Sequence, residues 1–173
     1  MTNPRIPMRT LGGAVAAVAA AIAGSFLAAA PAQALTCAAP PGAPASIVQI
    51  DGTTGCGANN DATGGAWGYS DSGVGFADAS EGAFVLGAGM SGGVGAGESR
   101  GGQLAAVGFG ADALALGVLD DPGAALVLAG PQSQAYVGDG ADPMLCEGSA
   151  SAAVNFATGR GCVVVGTFRY ATP

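Results

Sequence analysis

The side chains that could do chemistry in this chain are few: twelve carboxylates, five arginines and four cysteines, with no histidine and no lysine among 173 residues. A Ser-His-Asp or Cys-His device cannot be assembled from that set, and neither can a lysine Schiff base or a Ser-Lys pair. Acid chemistry is what remains. Asp120 with Asp121, or Asp139 with Asp142, could share a loop as a glycosidase pair or as oxygen ligands for calcium. Adjacent aspartates ahead of Pro122-Gly123 are far more often a solvated turn, and that is the reading adopted. The glycines of Gly92-Gly93-Val94-Gly95-Ala96-Gly97 match a phosphate-cradling loop in composition only, because no P-loop lysine and no helix follow. Trp67 and Tyr69, beside a Gly-rich segment, could make a sugar-stacking platform; a cover over the open end of a repeat is their expected use. No catalytic, cofactor-binding or metal-ligating residue is assigned, and no cofactor is expected.

The cysteines carry more information. Cys37, Cys56, Cys146 and Cys162 are an even set, and their spacings match no zinc motif. Of three formal pairings, Cys37–Cys56 and Cys146–Cys162 are expected, because each pair flanks the central segment on one side and closes a short loop worth ~3 kcal/mol. Export is the natural context for such bonds. Arg5 and Arg9 precede a charge-free run over residues 11–30, and Ala32-Gln33-Ala34 supplies the small residues a signal peptidase accepts. This pattern predicts a signal peptide over residues 1–34, cleavage before Leu35, and a single secreted or cell-envelope β domain over 35–173 with no stable membrane insertion after cleavage. The alternative, an uncleaved anchor, needs ~20 apolar residues, and this run is dominated by Ala and Gly. Beyond residue 34 stand all twelve acids but only Arg100, Arg160 and Arg169, so the domain has no basic footprint for nucleic acid or anionic lipid.

The elements that must position these residues announce themselves as a ten-residue beat. Val74, Phe84, Val94, Leu104 and Leu114 recur at one phase, continued by Ala124 and Gln134. Between beats lie turn residues such as Ser80-Glu81-Gly82, Ser91-Gly92, Asp120-Asp121-Pro122-Gly123 and Gly130-Pro131-Gln132-Ser133. Within beats the even positions hold most of the bulk (Val74, Phe76, Phe84, Leu86, Val94, Leu104, Leu114, Leu116, Val118, Leu126, Leu128, Tyr136), while the odd positions are mostly Gly and Ala. Period-two alternation predicts strands with the even, bulky face in the core and the small-residue face outward. Val107 and Phe109 break the parity, which predicts a bulge near Ala105-Ala106. The expected fold is all-β: an Ala/Gly-rich β-solenoid-like repeat over residues 73–138, between a disulfide-stapled N-terminal cap (35–72) and C-terminal cap (139–173). The N-terminal cap holds a strand at Ile47-Val48-Gln49-Ile50, and the C-terminal cap holds strands over 151–156 and 162–170. An antiparallel β-meander or sandwich satisfies the same beat.

The units Gly82-Ala83-Phe84-Val85-Leu86-Gly87, Asp112-Ala113-Leu114-Ala115-Leu116-Gly117 and Ala106-Val107-Gly108-Phe109-Gly110 are similar to the repeats in the head domains of trimeric autotransporter adhesins, a resemblance that implies a β-roll. With Leu35-Thr36-Cys37, Thr54-Gly55-Cys56-Gly57 and Gly73-Val74-Gly75-Phe76-Ala77, the chain also resembles an uncharacterised family of small secreted actinobacterial proteins, which implies a location and no activity. The functional expectation is a non-enzymatic scaffold for surface binding or self-association, its partner unknown. A secreted hydrolase using cap carboxylates and a purely structural envelope component are the alternatives.

Overall fold

Turn residues spaced at the ten-residue beat cut the chain into short strands. The computed structural model describes residues 34–140 and 144–172, which contain fifteen β-strands and no helix. The expected signal peptide and Asp142 lie outside the described residues. The strands are β1 (Leu35–Ala39), β2 (Pro44–Asp51), β3 (Thr54–Asp61), β4 (Gly65–Asp71), β5 (Val74–Ser80), β6 (Phe84–Met90), β7 (Val94–Arg100) and β8 (Gln103–Phe109). They continue as β9 (Leu114–Leu119), β10 (Ala124–Ala129), β11 (Gln134–Val137), β12 (Leu145–Glu147), β13 (Ala150–Asn155), β14 (Arg160–Val165) and β15 (Phe168–Ala171).

Successive strands alternate between two sheets. The first sheet runs β1-β4-β6-β8-β10-β13-β14-β15 and the second β12-β11-β9-β7-β5-β3-β2. From β3 to β11 all neighbours within a sheet are parallel, so the chain winds as a β-solenoid of about 4 turns. Val74, Val94, Leu114 and Gln134 stand in register, which makes two ten-residue beats one coil. Antiparallel pairing, expected throughout a meander, is confined to the ends: β1 on β4 and β2 on β3, then β12 on β11 and β13 on β10, with β14 and β15 extending the first sheet. The parallel ladders begin at β3, so residues 54–72 stack as coil. The single strand expected over 162–170 is two, β14 and β15, broken at Gly166 with φ +58°.

The corners follow from their residues. At Ser80-Glu81-Gly82-Ala83 the Ala83 N–H donates to the Ser80 carbonyl at 3.0 Å, with φ +55° at Glu81 and +83° at Gly82. Met90-Ser91-Gly92-Gly93 repeats the geometry, with φ +52° and +85°. Two successive positive φ values make the tight type I′ corner, and glycine takes the second because it has no Cβ to clash. Gly130-Pro131-Gln132-Ser133 reaches a similar end by another route: Pro131 presets the first angle and Gln132 takes φ +53°.

The parity assignment is inverted by the structure. The core is built from Ala77, Ala79, Ala83, Val85, Ala113, Ala115, Ala125, Val127, Ala129, Ala135 and Val137, all odd, while Val74, Phe76, Phe84, Leu86 and Leu128 face out. The cause is the separation of the sheets. A methyl group on Gly75 would strike the Tyr69 carbonyl oxygen of the opposite sheet, one on Gly87 the Phe76 oxygen, and one on Gly95 the Ala88 oxygen. Backbone therefore touches backbone along one side of the coil, leaving no room for the interdigitating side chains that hold ordinary packed sheets ~10 Å apart. Toward the other side the gap widens and is filled by Val85, Leu104, Leu119, Val127 and Val137. Here added carbons at Gly97 and Gly117 would meet the Leu104 side chain.

No bulge occurs at Ala105-Ala106: β8 pairs residue for residue with β6 and β10 over its whole length. Gln103 aligns with Phe84 on one side and Ala124 on the other. The corner before β8 is thus a residue short of the usual beat and the coil after it a residue long. That slip puts the even residues Leu104 and Ala106 inside and turns Val107 and Phe109 outward.

Candidate functional site

The inversion places the bulky side chains on the outer surfaces of the two sheets. On the first sheet one row runs Trp67, Leu86, Ala105, Leu126, Val154, and the next Tyr69, Ala88, Val107, Leu128, Ala152, Val163, Tyr170. Flanking rows add Phe84, Phe109, Val165 and Phe168; Phe84 is 47% exposed and Phe109 49%. Trp67 and Phe84 stack with ring centroids 6.1 Å apart and planes 11° from parallel. From β4 to β15 the outward positions hold no charged side chain except Asp71 at the rim.

This face is corrugated. The Trp67–Phe84–Leu86 ridge walls a trough of about 360 Å³ floored by Gln103, Ala105 and Ala124. A second trough of about 270 Å³ lies among Leu126, Val154, Gly161, Val163 and Tyr170. The second sheet also has an apolar groove, about 330 Å³, where Val48 and Ile50 rise beside Gly55 and Gly57 and face Val74 and Phe76. Its outer rows, however, include Asp78 paired with Glu98, and Glu147 beside Gln134. Among the described residues, the first sheet is the one whose outer face is free of charge away from its rim.

Of the acids singled out from the sequence, Asp120, Asp121 and Asp139 sit at corners. Both Asp139 carboxylate oxygens accept the Asp120 N–H at 2.9 Å, joining successive coils, and Asp120 Oδ1 lies 3.8 Å from Arg100 Nε at an exposed site. Asp121 is exposed in the same corner. Among the described residues no three of His, Cys, Asp and Glu gather as a metal-binding group. Nor is any described helix long and apolar enough to cross a membrane. Trp67 and Tyr69, expected over an open end, instead lie on the outer face of β4 within the coil; the end itself is covered by β1. The disulfides are Cys37–Cys56 and Cys146–Cys162, and no described cysteine is free.

Polar side chains brace the stack where turns meet. Asn60, buried, donates from Nδ2 to the carbonyls of Pro40 at 2.8 Å and Gly64 at 2.9 Å and accepts the Ala45 N–H at 2.8 Å, tying the β1–β2 connection to the first coil. Asp61 links two corners. It accepts the Glu81 N–H at 2.7 Å from the next coil, and the Thr63 hydroxyl at 2.7 Å, the Thr63 N–H at 2.9 Å and the Gly64 N–H at 3.2 Å from its own. The Glu81 N–H, then these other donors, hold its carboxyl well below the usual carboxylate range. A depressed folded-state pKa stabilises the fold above the unfolded pKa, and that stability is lost as pH falls toward the folded value. Asp61→Asn should therefore flatten the decline in thermal midpoint below about pH 4 relative to the parent, as followed by circular dichroism. An unchanged slope would show that the corner bonds contribute nothing.

The signal for the uncharged face is the alternation of bulky residues with Gly and Ala: Phe84 and Leu86 read as core because bulk is ordinarily buried, while Trp67 reads as a cover over the open end. A family model described as a family of unknown function (DUF6764) matches residues 3–165, and the chain belongs to that family. Comparison with curated proteins and with solved structures finds no match.

Proposed function

We propose that this member of a family without an assigned activity is a secreted or cell-envelope, non-enzymatic scaffold that acts by binding through the outer face of its first sheet. The observation that carries the reading is that face: eight strands wide, rich in aromatic and branched side chains, and free of charge away from its rim. The seven spacings between eight strands, at ~4.8 Å each, and six or seven residues at ~3.3 Å give roughly 700–800 Å². Soluble monomers rarely expose contiguous apolar patches beyond ~300–600 Å² without using them. Two disulfides suit an oxidising compartment. The lack of His and Lys removes the common nucleophile-activating devices, and Asp120 and Asp139 are engaged in corner contacts.

The test is photo-crosslinking in the producing cells, with a photoreactive amino acid placed singly at Leu86, Leu128 or Glu98. Adducts are expected from positions 86 and 128 and not from 98. No adduct from either first-sheet position would remove the binding role.

A further inference from the structure

We infer that the occupant of the first sheet's outer face is a second copy of this chain, packed face to face about a twofold axis. The inference rests on the binding role proposed for that face and names its partner. Three observations converge on it. The first is charge. A chain with a net charge of −7 repels its own copies, and its described acids sit at the corners, on the second sheet or, as Asp71, at the rim of the first. Face-to-face pairing through the uncharged sheet is the arrangement that keeps those acids apart, whereas pairing through the second sheet would bring the Asp78–Glu98 row of one copy against the other.

The second observation is shape. A twofold contact must be self-complementary, the same patch serving both partners. The Trp67–Phe84 ridge stands beside a trough floored by Gln103, Ala105 and Ala124, so in an antiparallel pair the ridge of each copy can enter the trough of the other. Gln103 supplies a hydrogen-bonding group at the trough floor without adding charge. The third is size. At roughly 700–800 Å² per copy, the contact buries about 1,500 Å² in total, within the standard class for a specific interface. Its centre, Ala105, Val107, Leu126 and Leu128, is aliphatic, and Trp67, Phe84 and Phe109, aromatic residues of the type that dominates binding energy, stand toward its margins.

The experiment is analytical ultracentrifugation of the disulfide-bonded protein as purified from its producing cells, over roughly 1–100 µM, at and above the weak, micromolar end of the affinities that interfaces of this size span. A two-chain mass is expected. Phe84→Asp and Leu128→Asp, each placing a carboxylate on the contact face, should raise the dimer dissociation constant about 100-fold or more and yield the one-chain mass with the β-type spectrum retained. Leu114→Asp on the second sheet should leave the dimer intact. A one-chain mass for the parent at all concentrations would overturn the proposal, as would equal dissociation by Leu114→Asp. Mass spectrometry of adducts from position 86 separates the two readings. A product of twice the chain mass supports the dimer. A product with a different protein, or an internal link to residues 11–30, overturns the dimer, and the first of these leaves the binding face standing.

Discussion

Ala115→Asp is expected to leave no folded protein, whereas Phe84→Asp, with a far larger change in side-chain size, is expected to leave the fold intact. Ala115 has no exposed surface and lies in register between Gly95 and Ala135 in the narrow core. A carboxylate there has no partner and no water, a cost of several kcal/mol set against a net stability of about 5–15 kcal/mol for a domain of this kind. Phe84 already faces solvent. The same geometry reverses an ordinary rule at Gly87. Gly→Ala in an extended segment commonly stabilises by ~0.4–1 kcal/mol through the unfolded chain; here the added methyl strikes the Phe76 carbonyl oxygen across the gap, and overpacking of this type costs ~1–3 kcal/mol. Thermal unfolding followed by circular dichroism ranks the three variants. Greater damage from Phe84→Asp than from Ala115→Asp would require the sheets to be turned inside out.

Removing both disulfides is the second large effect. Each bond crosses from one sheet to the other at an end of the stack: Cys37 of β1 to Cys56 of β3, and Cys146 of β12 to Cys162 of β14. The end strands are those with a neighbour on one side only, so they are the first to fray. With sequence separations of 19 and 16 residues, each bond contributes ~3 kcal/mol in the chain-entropy model. The Cys37→Ser, Cys56→Ser pair of substitutions should therefore lower the melting temperature by about 10 °C, and loss of both bonds should approach the whole net stability. Hydrogen exchange gives the spatial check. Amides of β1 and β2 should lose protection first when Cys37 and Cys56 are replaced, while β7 and β9 hold. Uniform loss across all strands would mean that the bond acts on the coil as a whole.

Much of this architecture is local and was legible in the residues. Turn chemistry at Ser80-Glu81-Gly82 and Ser91-Gly92 marks corners because positive φ is a property of a few residues in a row. Strands follow from alternation for the same reason, and repetition of the beat implies stacking. The cysteine pairing was accessible because each pair brackets one end of a repeat that holds the two ends apart. Which face of the strands lies inside was not accessible. Alternation of Phe84 and Leu86 with Ala83 and Val85 shows that the two faces differ, and its sign depends on how closely the opposite sheet approaches, a distance set by closure of the whole coil. Once Gly75, Gly87 and Gly95 bring backbone against backbone along one side, the gap admits bulk such as Val85 and Leu104 only on its wider side, and the remaining large side chains are driven outward. The single-residue slip at β8 is equally non-local, since its consequence for Leu104 and Phe109 is visible only against Phe84 and Ala124 on neighbouring coils. The uncharged face that supports the functional reading depends on both: it exists because the tertiary gap between the sheets is too narrow for the side chains that the sequence would by itself assign to a core.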